Sequence, residues 1–125
     1  VCNFRTGTIY GPGREHRNEL RHIAGKQIPF DGKSDAMLVH RDDVVRAIAF
    51  AIDRNLSGVF NLFNDIPDNK QDFFARIAQR EGLEPVTWLG VVKGPKGVSN
   101  ARIKGTGFAF TDPVGAREGE DLLAR

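Results

Sequence analysis

Residues 5–13, Arg-Thr-Gly-Thr-Ile-Tyr-Gly-Pro-Gly, constrain this chain more than any other stretch. A short apolar, β-prone run at residues 1–4 leads into them. Gly11, Pro12 and Gly13 suit the interior of neither a strand nor a helix, so the segment reads as strand, loop and helix start. In open α/β folds a loop at the carboxyl end of a strand is where ligands sit. From the glycines alone, a plain strand-to-helix connection is the simpler reading.

The chain has 125 residues, 40% of them hydrophobic and 27% charged, enough for one globular domain with a modest core, and nothing marks a second domain. A net charge of +2, with no basic arm or aromatic-basic ladder, argues against nucleic acid as a partner. Cys2 is the single cysteine, so no internal disulfide can form. A reducing, cytoplasmic compartment is therefore expected, with Cys2 a strand residue rather than a nucleophile. The longest unbroken apolar run, residues 47–52, is far short of a membrane span, and no charged-then-apolar leader opens the chain, so no membrane association is expected. Val1 stands inside what reads as a strand, and the chain is expected to be the later part of a longer polypeptide.

Past the opening turn, residues 14–25 read as a helix with Leu20, Ile23 and Ala24 inward and Gly25 as its stop. Arg14, Arg17 and Arg21 share its other face, where the interleaved Glu15 and Glu19 make a solvated surface a better reading than a phosphate grip. Residues 26–30, the turn Asp31-Gly32 and residues 36–40 read as a small, uneven hairpin. The clearest helix follows. Asp42 is its expected N-cap, Asp43 adds negative charge to the first turn, and Val44, Ala47, Ile48, Ala51 and Ile52 share one face that must lie against a sheet or another helix.

Residues 59–63 read as a buried strand and 64–68 as a loop holding Pro67. Asn69 then caps a helix whose Phe73, Phe74, Ile77 and Ala78 face inward as far as the stop at Gly82. Residues 86–92 fit a strand carrying Trp88, and 93–97 a Gly/Pro/Lys loop. Lys93, Lys96, Arg102 and Lys104 form one local basic stretch, either an anion site or ordinary surface. Ser99 and Asn100 cap a short helix ending at Gly105, Phe108 and Phe110 alternate in an extended piece, and 114–125 read as a weak amphipathic helix.

Several chemistries are missing. His16, His22 and His40 lack the i, i+4 spacing that puts two imidazoles on one metal, Cys2 has no partner, and residues 65–81 lack the glycine of a calcium loop, so no metal site is expected. Neither a G-x-S-x-G elbow, a P-loop nor a G-x-x-G-x-x-G fingerprint occurs, and no catalytic set is recognisable.

Three stretches taken together carry a resemblance: Arg5-Thr-Gly-Thr-Ile-Tyr-Gly-Pro-Gly-Arg14, Leu38-Val-His-Arg-Asp-Asp-Val-Val-Arg-Ala-Ile48 and Gly58-Val-Phe-Asn-Leu62. In order and spacing they resemble the C-terminal half of an NAD(P)-dependent epimerase/dehydratase, of the extended or atypical short-chain dehydrogenase/reductase family. The likeness continues through Lys96-Gly-Val-Ser-Asn-Ala-Arg-Ile-Lys104 to Thr111-Asp-Pro113 and covers nearly the whole chain. It implies an α/β fold: the late strands of a Rossmann-type sheet plus a small substrate-binding α/β lobe. Residues 2–7 would be a late strand, and 59–62 the last. The loop at Gly7, Thr8, Ile9 and Tyr10 would lie beside the nicotinamide of NAD or NADP. Arg14, His40 and Asn100 would be polar groups lining the substrate cleft, with the helices around 69–81 and 100–105 building the lobe. His40 also reads as a histidine hydrogen-bonded at a strand end.

In such enzymes the glycine-rich pyrophosphate turn and the Tyr-x-x-x-Lys pair lie earlier in the chain, so no catalytic residue is expected among these 125. The nucleotide-sugar enzymes usually carry Asn where this chain has Thr8, and Arg where it has Ala36. The atypical, oxidoreductase-like branch therefore fits better. Two functions follow from the sequence: the substrate-binding part of an NAD(P)-dependent oxidoreductase or epimerase/dehydratase, acting on a small molecule, or a non-catalytic binding module derived from that lobe. A side chain at Gly7 is expected to collide with the cofactor and weaken its binding more than folding. A strand at residues 2–7 without its neighbour is expected to recruit a second copy, giving a homo-oligomer through the N-terminal strand.

Overall fold

The computed structural model describes residues 1–66 and 68–111; Pro67, Pro113 and the helix expected over 114–125 lie outside them. Within the described residues, strands β1 (Cys2–Thr6) and β2 (Thr8–Tyr10) lead to helix α1 (His16–Ile23), then β3 (Gln27–Phe30), β4 (Leu38–His40) and α2 (Arg41–Arg54). They are followed by β5 (Gly58–Leu62), α3 (Lys70–Glu81), β6 (Thr87–Val92) and α4 (Ala101–Gly105).

Each strand pair is parallel: β1 with β5, β2 with β4, and β3 with β6. Parallel neighbours need a crossover rather than a tight turn. The hairpin expected over residues 26–40 is therefore corrected, since its two arms belong to different pairs. The Asp31-Gly32 turn is real, but it leads elsewhere. Lys33 N–H donates to Asp31 Oδ1 at 3.0 Å, and the Ser34 hydroxyl donates to the Asp31 carbonyl at 2.7 Å. Asp31 N–H reaches Val92 O at 2.9 Å, Asp35 N–H reaches Pro95 O at 2.8 Å and Ala36 N–H reaches Asp68 O at 3.1 Å, so this segment bonds with later chain rather than with itself.

The helix ends follow local chemistry. α1 starts at His16, later than the expected 14, because Arg14 N–H closes a turn onto Gly11 O at 2.8 Å. The N-cap of α2 is His40, not Asp42: its Nδ1 accepts from Asp42 N–H at 3.0 Å, which satisfies a first-turn donor from a ring rather than a carboxylate. Asn69 caps α3 as expected, its Oδ1 accepting from Asp72 N–H at 2.9 Å, and Gly82 closes it at φ 66° in the left-handed region. At α4 the N-cap position is Asn100, whose side chain makes no cap bond; Ser99 Oγ instead accepts from Ala101 N–H at 3.1 Å.

Two cores result. Tyr10, Leu20, Ala36, Leu38, Phe73, Ile77 and Ala78 pack together under α1 and α3. Val39, Ala47, Phe60, Leu62, Ile103 and Phe108 pack together under α2 and α4. β2 and β4 separate them: Tyr10 and Leu38 join the first core, Ile9 and Val39 the second, as strand alternation requires. The buried face of α2 is Asp43, Ala47 and Ala51, rotated from the expected stripe, which leaves Ile48 at 48% and Ile52 at 77% exposure. Asp43 tolerates full burial because it accepts from Arg46 Nη1 at 2.8 Å and from the Thr111 hydroxyl at 2.7 Å.

Candidate functional site

β1 and β5 end in register at Thr6 and Leu62. Gly7 N–H still donates to Leu62 O at 3.1 Å, but Thr8 N–H donates to Met37 O at 2.9 Å, so the chain leaves one strand pair for the next at Gly7. A Cβ at residue 7 would lie 2.6 Å from the Met37 carbonyl oxygen and 2.7 Å from its carbon. Glycine is thus demanded here by a backbone crossing, so a larger residue at position 7 bears on folding in its own right.

The stretch expected as a loop at residues 7–10 is mostly strand β2. Thr8 is exposed. Tyr10 is buried, its ring 5.1 Å from that of His16 and 5.3 Å from that of His40. His40 is buried at the end of β4. With Nδ1 accepting the α2 cap bond, its ring hydrogen sits on Nε2, toward Gly11, whose added Cβ would be 3.4 Å away.

The structure gathers Thr8, Ile9 and Arg14, with Glu15 and His16, around an open pocket of about 330 Å³. Asn100 stands apart from that group, beyond the end of β5. Its amide donates to Phe63 O at 2.9 Å and to Asp65 Oδ1 at 3.2 Å, and Lys104 Nζ reaches the same carboxylate at 2.9 Å. The Lys104 and Asn100 bonds hold the Asp65 carboxyl below its usual range. The basic stretch is largely engaged within the protein: Lys104 with Asp65, Arg102 over the Phe60 ring at 5.2 Å, and Lys96 3.9 Å from Asp31. It behaves as ordinary surface.

Sequence reasoning missed a second cavity, of about 260 Å³, bounded by α1, α3 and the β3–β6 pair. Thr8, His16, Phe30, Lys70, Phe74 and Trp88 are among its walls. His16 is 2% exposed, and its Nε2 has no hydrogen-bond partner among the described residues. Burial pushes its pKa down to about 4, so the ring is neutral. A signal was present in the sequence, since His16 lies four residues before Leu20 and so extends the inward stripe back by one helical turn. Among the described residues no cluster of three or more His, Cys, Asp or Glu side chains could hold a metal, and no helix is long and apolar enough to cross a membrane.

No protein-family model matches the chain. A 3-diazoavenalumate denitrifying reductase from a Streptomyces species is 30% identical over 98 residues, which is 74% of this chain and 32% of that protein. A functionally unknown conserved protein from Silicibacter pomeroyi matches 98% of this chain and 48% of its own, with a TM-score of 0.72 and 26% identity. A protein described as an NAD-dependent epimerase/dehydratase, from Methylobacillus flagellatus, matches 98% of this chain and 47% of its own, with a TM-score of 0.65 and 24% identity. The chain has the fold of the C-terminal half of an NAD-dependent epimerase/dehydratase. In epimerase/dehydratase terms, the chain spans about half the length of these solved structures and about a third of the curated relative. Solved structures sharing the epimerase/dehydratase fold hold NAD.

Proposed function

We propose that this chain is the substrate-binding part of an NAD(P)-dependent oxidoreductase acting on a small molecule. The observation that carries the reading is the switch at Gly7: the carboxyl ends of β1 and β5 meet there, and the chain steps into β2 beside the pocket of Thr8, Ile9 and Arg14. Ligands of open α/β sheets sit at such a point. When bound, NAD or NADP would supply or accept the hydride. Thr8 and Ile9 would face the nicotinamide, while Gly7 and Tyr10, both taken up by packing, would keep β2 in place. Arg14, exposed at the pocket mouth, would meet an anionic group of the substrate. Asn100 would act through the 63–65 loop that it ties to α4. Ala36, buried in the wall of the second cavity, gives an apolar surface there, which favours an oxidoreductase substrate over a nucleotide sugar.

The test is calorimetric titration with NADH and NADPH. The 125-residue chain is expected to show no micromolar binding, because it lacks a phosphate-binding turn and an acid/base pair. A polypeptide extended upstream of Val1 through a G-x-x-G-x-x-G and a Tyr-x-x-x-Lys is expected to bind. Micromolar binding by the chain alone would place the cofactor seat within it. An extended polypeptide that binds neither nucleotide would leave the non-catalytic module.

A further inference from the structure

The second cavity has walls that are mainly aromatic. Phe30, Phe73, Phe74 and Trp88 all face it, and the Phe74 and Trp88 rings lie 6.0 Å apart at 30°, close to parallel. Phe30 is 50% exposed, an apolar ring open to water beside a ready-made apolar slot. Its polar groups are few. His16, at the inner wall, carries an Nε2 that is buried and without a partner among the described residues; a turn of the ring towards the cavity would bring it to a ligand oxygen and relieve that cost. Lys70, at the start of α3, forms no ion pair among the described residues. Glu19, exposed on α1, also lines the cavity and would repel an anion there, which leaves the Lys70 side for a negative charge.

We propose that this cavity binds a planar aromatic group bearing a hydroxyl, which pairs with His16 Nε2, and an anionic arm, which Lys70 meets. The proposal names the substrate class of the site under the oxidoreductase reading and rests on it, but the binding needs no cofactor and can be read on the chain alone.

Trp88 is the single tryptophan and lines both this cavity and a neighbouring pocket with Gln71, Ala75 and Pro85, so its fluorescence reports on either. Variants of His16 and Lys70, which line this cavity but not that pocket, tell the two apart. The probes are p-hydroxyphenylpropionate, phenylpropionate, which lacks the hydroxyl, and hexanoate, which lacks the ring. The first is expected to change Trp88 emission saturably with a Kd below about 1 mM, phenylpropionate to bind about tenfold more weakly, and hexanoate not to saturate. His16→Phe should weaken p-hydroxyphenylpropionate about tenfold and leave phenylpropionate unchanged, whereas Lys70→Met should weaken both. No saturable change with any aromatic acid overturns the site. Equal affinity of the first two probes for the unaltered chain overturns the role of His16, whether or not His16→Phe folds. Failure here leaves the NAD(P)H titration of the extended polypeptide to stand by itself, so the two readings fall separately.

Discussion

A neutral imidazole walled in by Tyr10, Phe73 and Phe74 makes folding sensitive to mild acid. The His16 pKa is about 4 in the folded chain against 6.5 when free, so below 6.5 the unfolded chain takes up a proton that the folded chain refuses. Stability should therefore fall as the pH drops from 6.5 towards 4 and level off beneath, by about 3 kcal/mol over that window. Asp65 and Asp68, whose pKa values are lowered from 3.8 by hydrogen bonds led by Lys104 and Arg76, contribute stability that is lost only at lower pH. Urea titrations across this range should show the loss, and His16→Phe should flatten it; an unchanged slope in that variant would assign the titration to another group. At Gly7, Ala should cost about 1–3 kcal/mol by forcing Met37 aside. The measurement is a thermal melt, and a variant as stable as the parent would mean that the crossing relaxes freely.

At the level of elements, what was legible in the sequence is what neighbours in sequence decide. The Asn69 cap and the Gly82 stop use partners within a few residues and were placed as the structure has them. Asn69→Ala should cost about 1 kcal/mol, read from the shift in a denaturation midpoint. The hairpin failed because the partners of β3 and β4 lie in β6 and β2, and only the crossover topology shows which strands meet. Gly7, Thr8, Ile9 and Tyr10 share one stretch, but alternation along β2 and the pinch at Met37 divide them between pocket and packing. The stripe expected on α2 holds Ala47 and Ala51 with Val44, Ile48 and Ile52; the two small alanines let the helix approach the strands and a bonded Asp43 completes the buried face, while Ile48 and Ile52 turn outward. Asp43→Ala should therefore destabilise by about 1–3 kcal/mol, since it strips bonds from Arg46 and Thr111. A neutral outcome in chemical denaturation would show that those bonds are replaced by water.

For the whole molecule, β1 has β5 as its only strand partner among the described residues. Beside it an open groove of about 460 Å³ is lined by Val1, Cys2, Phe4, Ile48, Ile52 and Leu56, among others. We propose that a second copy covers this edge. Each large apolar side chain left in water forgoes roughly 1.5–3 kcal/mol, a large share of a domain's ~5–15 kcal/mol. Sedimentation over a dilution series should show a dimer or larger species that Ile52→Lys weakens; a well-folded monomer at micromolar concentration would overturn it. The same strand pairing has a consequence in time. β1 is synthesised before β5, whose Gly58 pairs with Cys2 about 56 residues later. At roughly 5–20 residues per second, β1 waits about 3–11 s for β5. On a polysome, where nascent chains crowd together, each β1 is thus offered another copy of itself before it is offered β5.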